Sequence, residues 1–64
     1  MLNRVNIIDP QGLTHTVAFS ERGVEGYENL AHGFDRSVRR EIIQNVLAAA
    51  QLKLPLPHGY TYAA

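Results

Sequence analysis

The tetrapeptide Asp9-Pro10-Gln11-Gly12 constrains this chain more than any other feature, because it reads as a tight turn and so commits its flanks to meet. Asp suits the first position of a type I turn, Pro brings its φ already fixed to the second, and Gly at the fourth accepts a left-handed backbone. The flanks have the composition of strands. Val5, Ile7 and Ile8 precede the turn, and Leu13-Thr14-His15-Thr16-Val17-Ala18-Phe19 follows it with β-branched residues in alternation. A hairpin pairing residues 4–8 with 13–19 is expected, with Leu13, His15, Val17 and Phe19 on one face and Thr14, Thr16 and Ala18 on the other.

Beyond Phe19 the pattern changes period. Val24, Tyr27, Leu30, Ala31 and Phe34 fall at helical spacing, Ser20 can cap a helix start, and Gly33 suits its C′ position, so a short first helix is expected between Ser20 and Gly33. Gly23 and Gly26 each weaken it by about 1 kcal/mol relative to Ala. Asp35 or Ser37 can cap a second helix over roughly Ser37 to Leu52, where Val38, Ile42, Ile43, Val46, Leu47 and Ala50 form a wide apolar face. Leu54 precedes Pro55 and so marks the end of that helix. The residues then divide into an α+β domain over 1–54 and an extended Pro/Tyr tail over 55–64.

At 64 residues with no cysteine, a single domain must stand on a small core without disulfides, and oligomerisation is the simplest support. An apolar face wider than a glycine-containing helix can cover points the same way, to a homodimer. No run reaches the length of a membrane span, and no apolar stretch of leader length follows Met1-Leu2-Asn3-Arg4, so a cytoplasmic protein with no membrane partner is expected.

The formal charge is zero, which argues against a generic coat for nucleic acid, yet the charge is unevenly placed. Residues 1–32 hold Arg4 and Arg22 against Asp9, Glu21, Glu25 and Glu28, a balance of −2, and residues 33–64 carry the matching +2. The one basic cluster is Arg36, Arg39 and Arg40, at a helix start where cations oppose the dipole unless an anion uses them. Local pairing with Asp35 or Glu41 is the plain structural alternative.

The order strand, short helix, turn, longer helix, together with Arg36-Ser37-Val38, Glu41-Ile42, Gln44, Val46 and their spacing back to Phe19, resembles the ribbon-helix-helix family, the Arc, MetJ and CopG group of small dimeric DNA-binding regulators. The resemblance covers roughly residues 14–47. It implies a homodimer whose paired strands enter the major groove of duplex DNA, with Thr14, Thr16 and Ala18 facing bases. Ser37 and Val38 would present phosphate-binding amides, with Arg36, Arg39 and Arg40 adding charge. Transcription regulation without catalysis is the implied function.

Those strand positions carry none of the Arg, Lys, Asn or Gln side chains that read bases bidentately. A second function is therefore expected alongside: a non-enzymatic protein-binding module, such as an antitoxin-like protein, phage-type inhibitor or accessory subunit. Its ligand would be the tail, through Pro55, Pro57, Tyr60 and Tyr62, and removing residues 55–64 would then leave the fold intact.

The histidines point to no chemistry of their own. His15 falls on the apolar strand face as a core or interface residue, the His32–Asp35 spacing would need a helix that Gly33 interrupts, and His58 has no evident partner. With no cysteine nucleophile, phosphate-binding glycine loop, nucleophile elbow or His-Glu-x-x-His stretch, neither an enzyme nor a cofactor or metal site is expected.

Overall fold

In a computed structural model that describes residues 3–27 and 29–63, the Asp9 turn joins β1 (Asn3–Ile8) to β2 (Thr14–Ser20) as expected. Their register is antiparallel, from Asn3 opposite Phe19 to Ile8 opposite Thr14. The Gly12 N–H donates to the Asp9 carbonyl at 2.9 Å, and Gly12 takes φ +88°. Two further strands complete an antiparallel sheet of order β3-β2-β1-β4: β3 (Gly23–Glu25) against β2, and β4 (Thr61–Tyr62) against β1. The single helix, α1 (Arg36–Gln51), packs on one face.

Among the described residues the first helix is absent, and with it the two-helix architecture that the family resemblance implies. Ser20 does not cap a helix: it ends β2, and its Oγ accepts the Arg22 N–H. Gly23 and Gly26 adopt φ +135° and +78°, which no helix contains, so the chain doubles back and sets Val24 opposite Phe19. Gly26 also lies against β2, where a Cβ would stand 2.8 Å from the Thr16 carbonyl oxygen. Residues 29–34 follow as successive turns, closed by bonds from the Leu30, His32 and Phe34 N–H groups to the Tyr27, Asn29 and Ala31 carbonyls. Of the expected stripe, Leu30 and Ala31 reach the core and Val24 and Phe34 pack against it, whereas Tyr27 is exposed.

Alternation puts Ile7, Val17 and Phe19 on the inner face, where they meet Ile42, Val46 and Ala50 of α1 together with Leu30, Ala31 and Tyr60. Ile42, Val46 and Ala50 of the helix's apolar face are thus covered within one chain, while Ile43 and Leu47 remain half-buried and Val38 exposed. At its far end, Leu54 N–H donates to Ala49 O and Lys53 N–H to Ala50 O, the paired bonds of a Schellman closure with Lys53 left-handed at φ +58°. Pro55 then carries the chain away.

The tail is built into the fold. Tyr60 is 2% exposed, stacks on Phe34 with ring centroids 6.2 Å apart, and donates its hydroxyl to the Leu30 carbonyl. Tyr62 pairs with Ile7 in the sheet, and its hydroxyl donates to the Leu54 carbonyl. A buried Tyr60 is not an anchor offered to a partner, and residues 55–64 contribute a core residue to the fold. Among the described residues no helix is long and apolar enough to cross a membrane.

Candidate functional site

Three of the chain's six basic residues line one groove. Arg36, Arg40, Ile43, Gln44 and Leu47 succeed one another along one side of α1, at steps that keep residues on a single helical face. Opposite them stand Val24 of β3 and Tyr27, which the left-handed Gly26 turns out of the sheet. With Arg39 these residues line a space of about 640 Å³. Its arginines sit toward the helix start, while Val24, Ile43 and Leu47, all half-buried, form an apolar floor toward the middle. Tyr27 is 40% exposed.

The three arginines do different work. Arg39 donates from Nε to the Phe34 carbonyl at 2.8 Å and from Nη2 to the His32 carbonyl at 3.2 Å, so it ties the 29–34 turns to the first turns of α1. No ion pair joins Arg36 or Arg40 to an acid among the described residues, so the local pairing with Asp35 or Glu41 is not seen there. Asp35 occupies the N-cap position but makes no side-chain cap bond, and the first turn of α1 contains no acid. Ser37, expected as a possible cap, lies inside α1 with Val38, both exposed. Arg36 and Arg40 thus line the same groove as an exposed aromatic ring and an apolar floor, a composition suited to a ligand that is anionic at one end and flat or apolar at the other.

Thr14, Thr16 and Ala18 lie on the far face of the sheet, away from α1 and the arginines. Thr16 Oγ1 donates to Asn6 Oδ1 across the strands at 2.8 Å. The structure therefore brings Arg36, Arg39 and Arg40 together but separates them from the strand positions expected to share their ligand. β3 and β4 cover opposite ends of the β1–β2 hairpin, leaving three strands abreast at either end, whereas the major groove admits a two-stranded ribbon. Sequence reasoning missed Tyr27 and the floor. The spacing of residues 36, 40, 43, 44 and 47 was there to be read, but nothing local shows which element that helix face would look toward.

A second polar cluster is closed on itself. Asp9, 4% exposed, accepts the N–H groups of Gln11 and Leu13 on Oδ1, each at 2.9 Å. His15 Nε2 donates to Oδ2 at 2.9 Å, and His32 Nε2 stands 3.3 Å from the same oxygen. Burial alone would raise the Asp9 pKa; the His15 bond and the two backbone bonds more than offset this and lower it from 3.8 to about 2. Burial, and then the Asp9 charge, raise that of Tyr60. The cluster pins the 29–34 turns to the hairpin, so His32 serves the turns and not a pairing with Asp35. His58, on the tail, accepts from Asn45 Nδ2 at 3.3 Å.

No protein-family model, no curated protein and no solved structure matches this chain.

Proposed function

We propose that this protein is a non-enzymatic nucleic-acid-binding domain whose working surface is the groove between α1 and Tyr27, with Arg36 and Arg40 on phosphates. One observation carries the reading: two arginines without acid partners among the described residues share a groove with an exposed tyrosine. Arg39 acts through the others as a positioning residue, because its guanidinium is engaged by backbone carbonyls. Phosphate contact requires no high net charge if the cations are gathered, as they are here.

Fluorescence anisotropy against labelled mixed-sequence DNA, at about 50 and 200 mM salt, tests the reading. Binding that falls steeply with salt is expected. The double variant Arg36→Ala/Arg40→Ala should reduce the slope of log K against log salt by about 1.4 to 1.8, for two phosphate contacts at 0.7 to 0.9 each. Absence of binding at 50 mM, or a double variant with the parent's slope, refutes it. Salt-insensitive capture of a protein through the same groove would move the function to the protein-binding class, which the apolar floor would serve.

A further inference from the structure

Resting on that reading, we infer that the nucleic acid held in this groove is single-stranded, with a base lying on the Tyr27 ring over the floor of Val24, Ile43 and Leu47 while adjoining phosphates meet Arg36 and Arg40. A duplex presents phosphates to arginines but keeps its base faces stacked inside, so Tyr27 and the three aliphatic residues would have nothing to do. A single strand offers an aromatic face and a phosphate in every repeat, the same two chemistries that the groove places side by side.

The rest of the fold agrees. Three strands abreast do not enter a major groove, and Thr14, Thr16 and Ala18 lie on the sheet face turned away from the arginines, so these strand positions do not read a duplex held at this groove. Stacking on a tyrosine is tolerant of sequence, because every base has a π-face. It therefore also suits a groove in which Gln44 is the one amide side chain.

The test compares labelled single-stranded DNA, single-stranded RNA and the corresponding DNA duplex at about 50 mM salt. Tighter binding of a single strand than of the duplex is expected. Tyr27→Ala should weaken single-strand binding by about 5- to 150-fold, the range for loss of one stacked base, whereas Tyr27→Phe, which keeps the ring, should bind as the parent does. The exposed ring makes Tyr27→Ala compatible with folding, and an unchanged circular dichroism spectrum checks this. Duplex binding that equals or exceeds single-strand binding, depends on Arg36 and Arg40 and ignores Tyr27→Ala overturns this inference but keeps the nucleic-acid reading. No binding of any of the three probes overturns both.

Discussion

Replacing Asp9 by Asn isolates what one buried carboxylate contributes to a small fold. Asn has the shape of a protonated Asp and can still accept the Gln11 and Leu13 N–H groups, but it presents no charge to His15 and His32. The Asp9 pKa is 3.8 before perturbation and about 2 in the folded chain. At about 1.36 kcal/mol per pKa unit, that difference corresponds to about 2 kcal/mol. Because the folded-state value is the lower one, the unfolded chain takes up the proton first. The contribution is therefore complete above the unfolded pKa and disappears as the pH falls from about 4 toward 2. A domain of this length has a total stability of about 3 to 10 kcal/mol, so the loss is a large fraction of it. Urea unfolding followed by far-UV circular dichroism should place the Asp9→Asn midpoint about 2 M below the parent at pH 7, for a slope near 1 kcal/mol/M. The two proteins should converge near pH 2. A variant whose midpoint at pH 7 equals the parent's, or whose gap from it persists unchanged at pH 2, would refute the reasoning.

Three further outcomes follow from the backbone and the core. Gly26→Ala, strained at φ +78° and with its Cβ 2.8 Å from the Thr16 carbonyl oxygen, should lose about 2 to 3 kcal/mol; Gly12→Ala, strained but in open space, should lose about 1, both read from thermal melts. Tyr60→Phe leaves the buried Leu30 carbonyl without its hydroxyl partner and should cost about 1 to 3 kcal/mol in urea, and deletion of residues 55–64 should abolish the cooperative transition altogether. Lys53→Gly relieves a left-handed lysine at the Schellman closure and should raise the Tm by about 2 to 5 °C, with no change expected in the salt slope of nucleic-acid binding.

The amino-acid sequence determined the elements whose signals are local. Asp9-Pro10-Gln11-Gly12 closes on itself within four residues, the alternation on either side follows from the pleat, and α1 is long enough for its 3.6-residue period to be unambiguous. The arginine cluster was legible for the same reason, since residues 36, 39 and 40 share the first turns of one helix. Tertiary structure decided the rest. The stripe Val24, Tyr27, Leu30, Ala31 and Phe34 has helical spacing, but a core requires only that apolar residues arrive, and Gly23 and Gly26 let all but the exposed Tyr27 reach it through a third strand and a run of turns. Tyr60 reads as exposed tail chemistry until the Leu30 carbonyl and the Phe34 ring are brought to it from thirty and twenty-six residues away in the sequence. The groove depends on the same long-range placement. Whether Arg36 and Arg40 face bare solvent or an aromatic ring over apolar ground is set by where β3 leaves Tyr27, a matter of packing between segments that no local periodicity encodes.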